Sequence, residues 1–263
     1  MFFKRNASMK LDDPVRQWLP ALPPATQPVT IRHLLSHTGG LIDYEDFVPD
    51  DAPQVHDADV LRLLSSQDRT YFPAGSRYRY SNSGYSLLAL IVEKASGQRF
   101  AAFLADHIFK PLGMSATIAF EDGISTVTTR AFGYSASGNA WTRTDQSSTS
   151  AVLGDGGIYS SIDDLARWDA ALYDDRLLSK ASRELAFSPA THTDNPSVDY
   201  AMGWRVSGET LWHSGETRGF RNVIIRYPER KLTVIMLTNR NDPEPYSTAR
   251  AIAQLFLPSA PHP

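Results

Sequence analysis

Apolar positions along the chain change their period twice. Up to about Pro28 they are scattered among Pro14, Pro20, Pro23, Pro24 and Pro28, which predicts an extended, proline-punctuated connection. From Thr30 onwards they recur at three- and four-residue spacing, in blocks set off by caps and breakers. Thr30 is placed to cap a short helix through Leu34 and Leu35 that Gly39 and Gly40 stop. A second helix starts near Asp57 and carries Val60, Leu61, Leu63 and Leu64. The most strongly apolar one runs from about Ser83 to Ser96, holds Leu87, Leu88, Leu90, Ile91 and Val92, and ends at Gly97. Another follows through Phe100, Phe103, Leu104 and Ile108, with Pro111 closing it. Residues 115–153 read as loop with short strands. Ser161 followed by Asp164 has the form of a capping box for a helix holding Leu165, Trp168 and Leu172.

From about Tyr200 the period becomes that of strands. YAMGWRVS, TLWHSG, RNVIIRYP and KLTVIMLTN are four β-type runs, and Pro-Glu-Arg between the last two predicts an antiparallel hairpin. A helix over about Tyr246–Leu257 follows. The order of helices, then an antiparallel sheet, then one helix argues an α+β architecture. It divides into a mainly helical lobe with a loop-rich insert (1–199) and a sheet with its C-terminal helix (200–263). The run Leu232, Val234, Ile235, Met236, Leu237 is almost uncharged and has neither proline nor mid-strand lysine, so it reads as a central strand. Beyond its hairpin mate, however, nothing obvious in the chain remains to pair with its other edge. That edge could also pair two copies of the chain.

Composition mainly excludes. The 263 residues suffice for one large domain with a sizeable core. A net charge of −3 gives no basic surface for nucleic acid. No apolar run approaches the roughly 20 residues of a membrane span. With Cys at 0, disulfides, thiolate catalysis and Cys-ligated metals are excluded, while the compartment stays open.

Three stretches could carry chemistry. In RYRYSNSGYS, Tyr80, Ser81 and Asn82 precede the strongest helix; they read as a helix cap beside a tyrosine, or as a proton-relaying phenol with an amide that holds a substrate carbonyl. In LWHSGETRGF, a strand ends in His213-Ser214-Gly215, either an ordinary strand exit or an edge where glycine lets a substrate backbone approach. In IRHLLSHTGGL, His33 and His37 stand four residues apart on one expected helix face, but Leu34 occupies the place of the H-E-x-x-H glutamate and no third ligand is evident. LGDGGIYSS lacks the lysine of a phosphate-binding loop and reads as a tight turn. No metal and no cofactor is implied.

Taken in order, TIRHLLSHTGGL, Tyr80-Ser81-Asn82, GDGGIYSSIDDLARW and HSGETRGF with YPERKLTVIMLTNR resemble the serine β-lactamase and penicillin-recognising hydrolase family. The nearest branch is the class C β-lactamase-like group with its D-Ala-D-Ala peptidases, D-amino-acid peptidases and esterases. The resemblance spans nearly the whole chain and implies a β-lactamase/transpeptidase-like fold. It also implies a serine acyl hydrolase acting on ester, D-amino-acid peptide or β-lactam substrates through an acyl-enzyme. Its three motifs are S-x-x-K, Y-x-N or S-x-N, and K-T-G or H-x-G. The second maps onto Tyr80 and Asn82, the third onto His213, Ser214 and Gly215. Tyr80 would share the general-base role with the motif lysine, whose charge would lower the phenol's pKa. Asn82 would orient the substrate, and the Glu216 N–H would be one oxyanion donor. Arg218 or Arg221 would offset the Glu216 charge. His213 in place of a permanently charged lysine would be partly protonated near neutral pH, which leans away from β-lactams and towards esters or peptides.

No serine here is followed three positions later by lysine, and GYSASG falls short of a G-x-S-x-G elbow at Ser137. In the family, S-x-x-K opens a helix that ends shortly before the segment matching MKLDDPV, and two N-terminal strands extend the sheet beside the Leu232–Thr238 equivalent. The resemblance thus implies that MFFKRNAS is a helix tail and that Met1 lies inside a longer protein. The chain would then be an incomplete hydrolase domain, inactive as it stands. The alternative is a nucleophile-less module that binds a peptide or acyl ligand.

Overall fold

The structure is a computed structural model and describes residues 9–257. The helix tail expected at Met1–Ser8 lies outside the described residues. Where an extended connection was expected, Pro14 starts a four-residue helix, α1 (Val15–Trp18), and a 3-10 turn follows at Pro24–Thr26. Helix α2 (Ile31–Leu35) begins at Thr30 as predicted. The Thr30 hydroxyl accepts the His33 N–H at 3.4 Å, and His33 Nδ1 accepts the Thr30 N–H at 3.2 Å. It ends at Leu35, and His37 takes a left-handed φ of 57°. The two histidines therefore do not share a helix face as the spacing suggested.

Helix α3 (Asp57–Ser65) packs against α4 (Asn82–Ser96). The Ser81 hydroxyl accepts the Gly84 N–H at 3.2 Å at the start of α4, and Gly97 ends it at φ 72°. Val15, Leu34, Val60, Leu64, Leu87 and Ile91 form the first core cluster. Helix α5 (Phe100–Leu104) runs on into a π-helical turn through Phe109. Next come β1 (Ile118–Ala119), the hairpin of β2 (Tyr134–Ser137) and β3 (Ala140–Arg143), and β4 (Ile158–Tyr159), which pairs with β1.

Helix α6 (Ile162–Ala171) starts at Ser161, whose side chain accepts the Asp164 N–H at 3.2 Å. The expected reciprocal half of the capping box is not made. Asp164 instead accepts from the Ala116 N–H and the Thr117 hydroxyl, both at 2.8 Å, so its carboxylate ties down the 115–117 loop rather than its own cap. Helix α7 (Lys180–Phe187) was not expected from the sequence.

Strands β5 (Thr191–His192), β6 (Asp199–Tyr200), β7 (Arg205–Ser207), β8 (Thr210–Thr217), β9 (Phe220–Tyr227) and β10 (Leu232–Thr238) form one antiparallel meander in the order β10-β9-β8-β7-β6-β5. The predicted Pro-Glu-Arg turn is a 3-10 turn, with Lys231 at φ 49°. Helix α8 (Tyr246–Gln254) packs Ala249 and Ala253 against Val223, Ile225 and Val234, and α6 packs on β10 as well. Both faces of β10 are therefore covered, yet among the described residues its outer edge pairs with no strand. No described helix is long and apolar enough to cross a membrane.

Candidate active site

The second-motif residues sit where the chain turns into α4. Ser81 is the N-cap, so Tyr80 lies just outside the helix and Asn82 is its first residue. The third-motif residues are on β8, and β6 and β7 bring the two stretches together. Tyr80 and His213 have ring centroids 6.0 Å apart, with the Arg205 guanidinium 5.5 Å from the Tyr80 ring. Burial pushes the Tyr80 phenol up to about 12, against the opposing charge of Arg205. Its hydroxyl has no hydrogen-bond partner among the described residues. Asn82 Nδ2 donates to Glu45 Oε1 at 3.3 Å. Burial chiefly, and the Asp43 charge, hold the Glu45 carboxyl above its ordinary range.

The β8–β9 hairpin turns through Arg218 and Gly219, with Thr217 opposite Phe220. A pair closing so short a turn must be hydrogen-bonded, and antiparallel pairs alternate. Glu216, opposite Arg221, therefore falls in a non-hydrogen-bonded pair, and its N–H points away from β9, toward the side where β7 has already ended. Gly219 at φ 82° packs on Gly133, where a Cβ would lie 2.6 Å from the Gly133 carbonyl carbon. The Glu216 carboxylate is matched by Arg221 at 3.4 Å, whereas Arg218 is exposed at the turn and makes no ion pair among the described residues.

His213 differs from its expectation. Burial first, then the charge of Arg205, push it down to about 4, so it is neutral rather than partly protonated near pH 7. Its Nδ1 lies 2.6 Å from the Ser214 carbonyl and its Nε2 lies 3.3 Å from the Tyr200 hydroxyl. His37 joins the same cluster. Its Nε2 is 3.0 Å from the Tyr200 hydroxyl, and its Nδ1 accepts the Ser81 N–H at 3.1 Å. No cluster suited to a metal ion occurs among the described residues.

Beside His213, Ser214 and Gly215, between the sheet and α6, lies an open groove of about 190 Å³ with Leu165, Trp168, Ile224, Ile235 and Leu237 along its apolar walls. Across the cleft, Tyr44 donates to Asp155 at 2.8 Å, and burial raises the Asp155 carboxyl well above its ordinary value. Asp155 lies in the GDGG stretch, whereas Tyr200, Arg205 and Glu45 carry no motif of their own. Only their positions in the fold bring them here.

The chain is similar to known proteins over most of its length. The family model described as Beta-lactamase matches residues 5–257. Penicillin-binding protein 4* of Bacillus subtilis (strain 168) is 36% identical over 258 residues, covering 90% of this chain and 57% of that protein. A D-aminopeptidase of Brucella canis is 26% identical over 233 residues, with 80% of this chain and 41% of the relative covered. The chain thus spans about half the length of these relatives. The crystal structure of a penicillin-binding protein from Bacillus halodurans superposes with a TM-score of 0.82 at 27% identity, covering 94% of this chain and 78% of that one. With the family matched over nearly its full length and the fold shared with a solved penicillin-binding protein, the chain belongs to the beta-lactamase family, whose members similar to it are hydrolases and penicillin-binding proteins.

Proposed function

We propose that the cleft between Tyr80–Asn82 and His213–Glu216 is the substrate-orienting half of a serine acyl-hydrolase site for amides, esters or short peptides of D-amino acids. The observation that carries this reading is the convergence of both motifs on one cleft, with Tyr80 and His213 rings 6.0 Å apart. Asn82 would hold the carbonyl side of the substrate. The Glu216 N–H would stabilise the developing oxyanion, a role for which a donor directed at the site and not spent on the sheet is required. Tyr80, with its pKa pushed up to about 12, is a weak base at neutral pH. It would relay protons once a further cation, such as the lysine of S-x-x-K, lowered it.

The substrate class follows from charge. A neutral His213 provides no cation for a substrate carboxylate, which counts against β-lactams. Glu45 on the Asn82 amide suits a substrate with a free ammonium, in keeping with the D-aminopeptidase relative. Because the sequence contains no S-x-x-K, we assign the 263-residue chain no acyl-enzyme chemistry of its own. The alternative is a module that binds such ligands without turnover.

Two measurements on the purified chain test this. A fluorescent penicillin and a fluorophosphonate are expected to leave its intact mass unchanged, and an adduct at a mapped serine would refute the missing nucleophile. D-alaninamide is expected to shift the NMR resonances of Asn82 and His213, with affinity falling about tenfold in Asn82→Ala. No binding to the folded chain would overturn the assignment of the cleft.

A further inference from the structure

We propose that His37 and Tyr200 are positioning residues. They form a one-way hydrogen-bond chain that joins the Tyr80–Asn82 stretch to His213 and holds His213 as its Nδ1–H tautomer. The direction is forced from both ends. The Ser81 backbone N–H can only donate, and it donates to His37 Nδ1 at 3.1 Å. A ring nitrogen that accepts carries no proton, so His37 is neutral with its proton on Nε2, which donates to the Tyr200 oxygen at 3.0 Å. At the other end the Ser214 carbonyl can only accept, so His213 Nδ1 carries a proton and donates to it at 2.6 Å. Neutral His213 then presents a bare Nε2, and the Tyr200 O–H donates to it at 3.3 Å.

Ser81 N–H to His37, His37 to Tyr200, Tyr200 to His213 and His213 to Ser214 therefore run head to tail. His37 and Tyr200 are each 1% exposed, so the inner links are direct and dry. The chain spans 163 residues of sequence at its longest link and ties α4 to β6 and β8. It also assigns the third-motif histidine a use for each ring nitrogen, leaving neither free to bind a substrate carboxylate.

The groups facing the chain are consistent with this direction. Tyr78 and Tyr80 come from the segment before α4, Tyr85 from α4, and Arg205 from β7. Burial first, and the charge of Arg205 with it, oppose a second proton on either histidine, and charge on His213 also opposes it on His37. Protonating His213 would turn Nε2 into a donor facing the Tyr200 oxygen, which already accepts from His37, so the Tyr200 proton would have no place left in the chain. Acid therefore breaks the chain at Tyr200, between the two motifs.

The functional consequence rests on the reading of the cleft given above, but the arrangement itself is tested without any substrate. In the wild-type chain, nitrogen-15 NMR of the imidazoles at pH 7 is expected to show His213 protonated at Nδ1 and His37 at Nε2. The opposite tautomer at either ring overturns the proposal, with no variant needed. In Tyr200→Phe, which keeps the ring and removes the hydroxyl, His213 is expected to lose its single tautomer and to titrate at a higher pH. Unchanged tautomer and titration would refute the role of Tyr200, because a merely packing role would leave both as they were. D-alaninamide affinity is expected to fall about tenfold in the same variant, and an unchanged affinity would refute the positioning. If the wild-type tautomers are as stated yet D-alaninamide does not bind, the assignment of the cleft fails and the hydrogen-bond chain stands.

Discussion

A histidine kept neutral by burial makes folding sensitive to acid. An unfolded histidine takes up its proton near pH 6.5, whereas His37 resists down to about 3 and His213 to about 4. Both folded values are depressed, so the unfolded state binds more protons below pH 6.5, and the stability present above that pH is lost as pH falls toward the folded values. Asp155, whose pKa is raised, works in the opposite direction, so the separate contributions are read from a variant. For His37→Asn, the slope of unfolding free energy against pH between about 6 and 4 is expected to be shallower than wild type by about 1.4 kcal/mol per pH unit. Urea titrations over that range measure it, and an equal slope would remove His37 from the acid response. At this scale the sequence is legible only where chemistry is local. Tyr80, Asn82, His213 and Glu216 lie in short motifs and can be read directly. Tyr200 and Glu45 reach the site only through the fold, and no spacing along the chain announces them. Sequence offers Arg218 and Arg221 alike as the partner of Glu216, and the two-residue turn leaves Arg218 exposed while Arg221 makes the ion pair.

Elements were legible in proportion to the apolar surface they bury. The long α4, with Leu87, Leu90 and Ile91 buried and Gly97 ending it, follows its pattern closely, and so do the strands β8 to β10. Helix α7 buries no residue completely, so it has no strong apolar stripe to read, and α1 is one turn between prolines. Asp164 has the right spacing for a cap, but a loop with two unpaired donors competes for its carboxylate and wins. The turn before α6 shows what the sequence reading of LGDGGIYSS could not: it seats against α4. The Asp57 carboxylate accepts the N–H groups of Leu153 and Gly154 at 3.0 and 2.9 Å. A Cβ on Gly154 would stand 2.3 Å from the Tyr85 carbonyl oxygen and 2.6 Å from Ser86 Cα, both helix backbone that cannot swing aside. Gly154→Ala is therefore expected to destabilise the chain by about 2 kcal/mol and to disturb Asp155 with it. Denaturant unfolding checks this, and a cost near zero would mean the turn does not seat as closely as described.

The whole molecule depends on joining a sheet to helices drawn from distant parts of the chain, and Arg226 of β9 is one such junction. It is 1% exposed, and its Nε pairs with Asp169 on α6, whose other oxygen accepts from the Thr233 hydroxyl at 3.0 Å. Its two terminal nitrogens have no hydrogen-bond partner among the described residues. They lie instead among the rings of Tyr173, Phe187 and Trp204, with the guanidinium carbon 4.8, 5.5 and 5.6 Å from the ring centres. A buried cation held by one carboxylate and three aromatic rings is sensitive to loss of the carboxylate, because the rings offset only part of its desolvation. Asp169→Leu should cost about 4 kcal/mol by leaving that charge unpaired. Arg226→Met, which removes the charge and keeps much of the volume, should cost less. Adding Arg226→Met to Asp169→Leu should then recover part of the loss, since the double variant buries no unpaired charge. Urea unfolding of the three variants decides it: if the double variant is as unstable as the sum of the singles, the pair does not couple. The apolar contacts beside the same junction, where Trp168 and Trp204 stack at 5.9 Å, would then carry more of the join between the sheet and α6.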